Sequence, residues 1–331
     1  MMNKIPHKRF IELMVQARIA HDTGDFATAF PLYQMAIQQE PDNAGYHVLL
    51  GDTLVMMGDH KGAIGLYRKA LSLDPRLPGV ASQLAYELGK DASNRQESTA
   101  LLKEHLASNP NDGIAWTNLG VNYYQDGRYA DAVQAHKEAL KSSDIKKSEV
   151  WNNLGNDYYK LGDFRNAAEA YKEARGRSHD ILWNAFYWGG KAEMQLRDYK
   201  TASETFRILT MHALDDIEAF IALADARAES GDLEGAVQAY LDFLAKHPTD
   251  DIAWNNVSCF YVRAGKPDRA IECARKALAI ESKNDTNWTT LGEALEAAGD
   301  VSGAIDAYRK ARAINPGEKD AAAHLERLNH R

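Results

Sequence analysis

A glycine returns every 34 or 35 residues along most of this chain: Gly24, Gly58, Gly127, Gly162, Gly231, Gly265 and Gly299. The two missing beats fall at Ala92 and Arg197. A period of this length marks one supersecondary unit repeated in tandem, and such a unit buries its apolar face only against its neighbours. The core is therefore spread along the chain, and function is expected on one long surface in place of a single cavity.

Other residues keep the same beat. Five positions after each turn comes Ala29, Ala63, Ala132, Ala167, Ala202, Ala236, Ala270 or Ala304. Four further on stands Tyr33, Tyr67, Tyr171, Phe206, Tyr240 or Tyr308, with His136 and Ala274 as exceptions. A proline often closes the unit (Pro41, Pro75, Pro110, Pro248, Pro316), and Gly51, Gly120, Gly155 and Gly292 precede the turns by seven residues. Tryptophan recurs ahead of these at Trp116, Trp151, Trp254 and Trp288. The pattern specifies helix–turn–helix. Glycine permits the turn, small residues let two helices approach, aromatics fill the space beside them, and proline ends the second helix.

At these residues the chain resembles the tetratricopeptide repeat family. The segments Ile114–Gly120 and Val150–Gly155 carry its first-helix motif most closely. The resemblance implies an all-α solenoid, a right-handed superhelix of nine repeats over 10–43, 44–77, 78–112, 113–147, 148–182, 183–216, 217–250, 251–284 and 285–318. Repeats three and six are degenerate. Residues 1–9 read as an N-terminal extension without a polar cap. Residues 319–331 read as a capping helix, with Ala321, Leu325 and Leu328 on its apolar face.

A length of 331 residues normally suggests two globular domains, but the repeats override that prior. The formal net charge of −8 argues against nucleic acid, which requires a basic stripe. Two cysteines, Cys259 and Cys273, make neither a disulfide framework nor a metal motif, and free thiols suit a reducing compartment. With no apolar run long enough for a membrane span and no apolar stretch behind the first charged residues, the expectation is a cytoplasmic protein without membrane insertion.

Signatures of catalysis are missing from the sequence: no Gly-rich phosphate loop, no HExxH, no GxSxG, and no histidine pair at i, i+4. Neither catalysis, a metal nor a cofactor is expected. His136 occupies a tyrosine slot and reads as a packing residue.

The resemblance further implies that the first helix of each repeat lines a concave groove. Read in that frame, the groove has three zones. In repeats one and two it is apolar, through Ile11, Met14, Val15, Val48, Leu49, Val55 and Met56. Such a patch marks a binding site for a partner, for the chain's own first residues, or for a second copy in a homodimer. In the middle, Asn118 and Asn153 recur at one place in successive repeats and Asn256 returns to it, flanked by Asn156, Tyr124, Tyr159 and Lys160. An Asn offers both a donor and an acceptor, so the series resembles the asparagine ladder by which some superhelical tetratricopeptide proteins hold an extended peptide backbone. The other reading is that each Asn bonds a neighbouring helix. Repeat six adds Tyr187 and Trp188 as an aromatic anchor, unless a one-residue shift places Trp188 in the core against Gly189. The third zone is acidic, with Glu218, Asp225, Glu229, Glu293 and Glu296, and favours a basic segment. The cations of a two-carboxylate clamp are missing, so a clamp-type co-chaperone is not expected. The sequence thus points to a non-catalytic scaffold that binds an extended or helical segment of a partner protein. Its alternatives are a self-associating solenoid and a regulatory subunit of a separate enzyme.

Overall fold

The computed structural model describes residues 5–77, 79–143, 145–178 and 182–329, and among them every regular element is an α-helix. Nine antiparallel pairs follow one another: α1 (His7–Asp22) and α2 (Phe26–Gln39); α3 (Ala44–Met56) and α4 (His60–Leu73); α5 (Val80–Gly89) and α6 (Arg95–Ser108); α7 (Gly113–Gln125) and α8 (Tyr129–Ala139); α9 (Lys147–Lys160) and α10 (Phe164–Arg177); α11 (Trp183–Gln195) and α12 (Tyr199–His212); α13 (Ile217–Glu229) and α14 (Leu233–Leu244); α15 (Asp251–Arg263) and α16 (Pro267–Ile280); α17 (Asp285–Ala297) and α18 (Val301–Ile314). A last helix, α19 (Lys319–Asn329), follows them. The chain divides into two compact units between Asp157 and Tyr158. Helix α1 begins at His7, because Pro6 needs no N–H at a helix start, so residues 7–9 belong to the first repeat and not to an extension. Residues 1–4 of that expected extension, and 330–331 of the expected final helix, lie outside the described residues.

Two residues make most of the turns. Gly24 adopts φ 81°, the left-handed conformation that costs an L side chain about 1 kcal/mol. Asp25 then caps α2, its side chain accepting from the Thr28 N–H at 3.1 Å. Asp59, Asp163, Asp198, Asp232 and Asp300 repeat that cap after the later turns. A cap of this kind stabilises its helix by about 1 kcal/mol. The aspartate following the turn is a second periodic signal, which the glycine beat alone overlooks.

The small residue of one helix fits the aromatic ring of the next. A Cβ added to Gly51 would meet the Tyr67 ring at 2.7 Å, and one on Gly190 would meet Phe206 at 2.5 Å. Tyr33, Tyr67, Tyr171, Tyr240, Tyr308 and Phe206 are all buried, and each such side chain contributes about 2–3 kcal/mol of transfer free energy. His136 fills the same slot in repeat four and faces Gly120. Its Nδ1 lies 2.6 Å from Asp157 Oδ2, with both side chains 1% exposed. Burial pushes the Asp157 carboxyl above the usual carboxylate range, and the hydrogen bond to His136 partly opposes that shift.

The two degenerate repeats differ. In repeat six Arg197 takes the glycine's place at φ 59°, the one positive-φ residue other than glycine among the described residues. Ala92 does not play this part in repeat three. There α5 starts late, at Val80, and ends one residue early, at Gly89, and the Ser93 N–H and Oγ both bond Asp91 Oδ1 at 2.9 Å, making a turn with no left-handed residue. Ser98 then packs where the other repeats carry alanine, donating to the Ala85 carbonyl at 2.6 Å and receiving Asn122 Nδ2 at 2.7 Å.

The first helix is more polar than its pattern suggested. Leu50, Leu84, Leu119, Leu154, Leu223, Val257 and Leu291 are buried just before the inner small residue of their repeats, whereas the equivalent Gln16 is exposed. Glu12 is exposed likewise, so the outer side of α1 carries polar groups. Beside them Ile11, Val15 and Ile19 remain about half exposed at 49%, 53% and 57%.

Candidate functional site

In the first compact unit the expected apolar zone separates into two sets. Val48 and Val55 pack against the core around Tyr67, and Met14 and Leu49 against the core around Tyr33. These four are therefore partly internal packing, because each first helix turns one apolar flank toward the helix before or after it. Ile11, Val15 and Met56 stay exposed. A cleft of about 340 Å³ on this face is lined by Ile11, Met14, Val15 and Leu49 with Tyr33, whose buried hydroxyl has no hydrogen-bond partner among the described residues.

Further along, a cleft of about 530 Å³ opens among α3, α5 and α7. It is lined by Val48, Gln83, Tyr86, Ile114 and Asn118 among others, with Tyr86 and Ile114 about half exposed. Helix α5 has 10 residues against 13 in α3 and α7, so repeat three leaves its neighbours' side chains uncovered. The sequence reading missed this cleft, although the degeneracy of repeat three was its visible signal.

The asparagines are already engaged. Asn118 Nδ2 donates to the Ser82 carbonyl of α5 at 3.3 Å, and Asn256 Nδ2 donates to the Tyr240 hydroxyl at 3.1 Å. Both bonds join neighbouring helices. Asn153 is half-buried on α9 with no hydrogen-bond partner among the described residues, and Asn156 on the same helix has an interaction of its own. Tyr124 packs edge-to-face on Tyr129 at 5.4 Å, and Lys160 is exposed.

The second compact unit holds a continuous aromatic face. Phe164 touches Tyr159 with centroids 5.3 Å apart, Tyr159 touches Trp188 at 5.1 Å, and Trp188 touches Tyr187 at 5.4 Å. Trp183 stacks on Tyr187 at 4.5 Å and 15°. Trp188 is 37% exposed, and Gly190 is the residue facing Phe206, so the frame that would bury Trp188 does not apply. Gly189 instead leaves room for Arg175, which bonds the Ala185 carbonyl and the buried Glu193. Trp183 was not among the expected site residues, yet its indole donates to Asp216 Oδ2 at 2.6 Å and fixes the stack.

Acidic residues border this face. Burial and then the nearby Glu218 charge raise the Tyr187 hydroxyl. Asp225 is raised by burial, against the pull of Lys191 and Arg263. Glu229 is exposed. Glu293 and Glu296 depart from the expected acidic wall because α19 lies on them. Glu296 Oε2 receives Arg327 Nη2 at 2.7 Å and Tyr308 Oη at 3.2 Å, and His324 Nε2 stands 3.7 Å from Glu293. The repeat pattern ends before His324 and Arg327, which is why this pairing was not foreseen. Both thiols, Cys259 and Cys273, are free, and burial pushes Cys273 up to about 11. Among the described residues no group of three or more metal-ligating side chains occurs, and no helix is long and apolar enough to cross a membrane.

Comparison with known proteins places repeats along nearly the whole chain. Residues 18–147 match a family described as the cytochrome c-type biogenesis protein H TPR domain. Residues 148–176, and then 187–251 and 260–319, match two families described as tetratricopeptide repeat. Cellulose synthase operon protein C of Xanthomonas axonopodis pv. citri (strain 306) is 35% identical over 99 residues, 30% of this chain and 6% of that protein. Cytochrome c-type biogenesis protein CycH of Rhizobium meliloti (strain 1021) is 38% identical over 80 residues, 24% of this chain and 20% of that one. The alignments thus span a small part of either relative. Among solved structures, the C-terminal part of a TPR repeat-containing protein from Cytophaga hutchinsonii superposes with TM-score 0.60 at 17% identity, covering 74% of this chain and 99% of that one. The type IV pilus biogenesis factor PilW does so with TM-score 0.58 at 18% identity, covering 66% and 100%. Both likenesses concern the fold.

Proposed function

Because the chain belongs to the tetratricopeptide repeat family, whose repeats mediate protein–protein interaction, we propose that it is a non-catalytic scaffold that binds an extended segment of a partner protein on its first-helix face. The aromatic face of Tyr159, Trp188, Tyr187 and Trp183 is the observation that carries this reading. Large aromatics held rigid and partly exposed are the usual anchors of an interface. Bordering acids favour a basic segment. In the first compact unit, taken by itself, Asn153 keeps its amide uncommitted among the described residues, whereas Asn118 there and Asn256 in the second unit serve helix packing first. The named roles of the two relatives, cytochrome c-type biogenesis and a cellulose synthase operon, belong to those proteins, since the matches lie within repeats.

Affinity capture tests the reading. Proteins retained by the wild type should be lost with Trp188→Ala, while helicity and melting temperature stay unchanged. Equal capture by the variant would remove the aromatic face from the function.

A second reading is favoured by Ile11, Val15 and Met56, which expose apolar surface on the first compact unit. Here that surface joins two copies of the chain. Light scattering across a concentration series should then show a dimer that Val15→Glu dissociates. A monomer at every concentration defeats it. The free thiols support a reducing, cytoplasmic setting. Thiol trapping in intact cells should find Cys259 and Cys273 both reduced.

A further inference from the structure

We propose that the aromatic face of the second compact unit takes a proline-containing segment in the polyproline II conformation, with basic residues beside the prolines. The proposal rests on the scaffold reading above and specifies the chemistry of its partner.

Ring geometry is the first ground. Along the series from Phe164 to Tyr187 the planes meet at 72°, 65° and 88°. Rings in contact near a right angle enclose no box; they leave shallow corners open to solvent. A compact pyrrolidine ring, locked to the backbone, can lie in such a corner and touch both walls. A long flexible side chain would lose rotamer freedom for the same contact. The polyproline helix is already extended before binding, so its ordering cost is small.

Hydrogen bonding is the second ground. Trp183 spends its indole N–H on Asp216 at 2.6 Å. The Trp188 indole N–H has no acceptor among the described residues, and the residue is 37% exposed. A polyproline II backbone makes no internal hydrogen bonds and presents its carbonyls outward, so it supplies the acceptor that a helical ligand withholds.

Charge is the third. Asp216 and Glu218 stand at the Trp183–Tyr187 end of the face. Lys191 already lies over the Tyr187 ring, 5.4 Å from its centroid. With that face occupied and no enclosed box, the arrangement does not suit capture of a single quaternary ammonium. The carboxylates instead complement an Arg or Lys flanking the prolines.

The chain has six tryptophans, so indole N–H resonances of the full-length protein resolve the site directly. The probe is a synthetic peptide, Arg-Pro-Pro-Ala-Pro-Pro-Arg, titrated beside a version with every Pro replaced by Ala and a version with both Arg replaced by Glu. The Trp183 and Trp188 signals should shift with the first peptide. Each altered peptide, and Trp188→Ala, should bind about tenfold more weakly. Trp188→Phe, which keeps a ring and removes the donor, should weaken binding about threefold. If the alanine peptide binds as tightly as the proline peptide, the polyproline assignment is overturned while a peptide-binding face survives. If no peptide moves either indole but a captured partner does, the partner chemistry is wrong and the scaffold reading stands. If nothing moves them, both fail.

Discussion

Repeats three and six both lack the turn glycine, and the chain accommodates the loss in opposite ways. Repeat six keeps the geometry and places an unsuitable residue in it: Arg197 sits at φ 59° and the Asp198 cap survives. Repeat three changes the geometry. Its first helix ends at Gly89, the Asp91–Ser93 turn replaces the left-handed step, and Ser98 bonds back to Ala85. The first solution stores local strain and leaves packing intact. The second avoids strain but places a polar network in the core. A periodic scaffold can therefore absorb the same loss in its backbone or in its side chains.

The largest test of this contrast lies in the core slots. Leu102 in repeat three and Phe206 in repeat six are both wholly buried. Leu102→Ala and Phe206→Ala should each cost about 3–4 kcal/mol in urea denaturation. A cost near 1 kcal/mol for Leu102→Ala alone would mean that the altered turn had loosened repeat three.

Next comes the network itself. Ser98→Ala removes the hydroxyl that links the Asn122 amide to the Ala85 carbonyl, leaving Asn122 only the longer 3.4 Å bond to Thr99 Oγ1, and should cost about 1–2 kcal/mol. A neutral result would leave the turn of repeat three without its support.

The backbone side of the comparison is smaller. Arg197→Gly should raise stability by about 1 kcal/mol, since glycine relieves the left-handed strain. Ala92→Gly should lower it by about 0.5 kcal/mol, because no strain exists there and only unfolded-state entropy is added. Equal effects from the two substitutions would break the distinction.

Smallest is a pH effect confined to repeat three. The backbone and side-chain hydrogen bonds from Ser93 hold the exposed Asp91 carboxyl below its ordinary value of 3.8. A carboxyl depressed in the folded state adds stability above its unfolded pKa and loses it as pH falls through the folded one. Amide exchange at Ser93 should therefore speed up, beyond the intrinsic rate, only as the pH drops below 3.8. The Arg197 turn has no titrating cap of this kind to its N–H and should show no such step; a shared transition would assign the effect to global unfolding.

Much of this fold was legible because a repeat states each contact several times. One Gly–Ala–Tyr beat announces a turn, a close approach and a buried ring, and neighbours corroborate it. What the sequence concealed was not repeated. Ala92 keeps the beat of the preceding turn, but Ser98, one residue beyond the alanine beat, holds the alanine slot, and only the fold shows that slip. The partners of Asn118 and Asn256 depend on which neighbouring helix supplies the acceptor, and periodicity does not specify that. Glu293 and Glu296 look like their counterparts in other repeats, and only the position of α19 removes them from an open surface. The aromatic face was half visible: Tyr187 and Trp188 drew notice as neighbours in sequence, whereas Tyr159 and Phe164 join them across helices.

The pair His136–Asp157 gives the array something that identical repeats lack, an address. One member belongs to α8 and the other to α9, and each is buried where it could satisfy little else. Deleting or duplicating a helix pair at that joint would set one of them against a tyrosine or an alanine, with a polar group stranded in the core. The joint thereby records the order of its neighbours, and a shuffled array would betray the error first at that place.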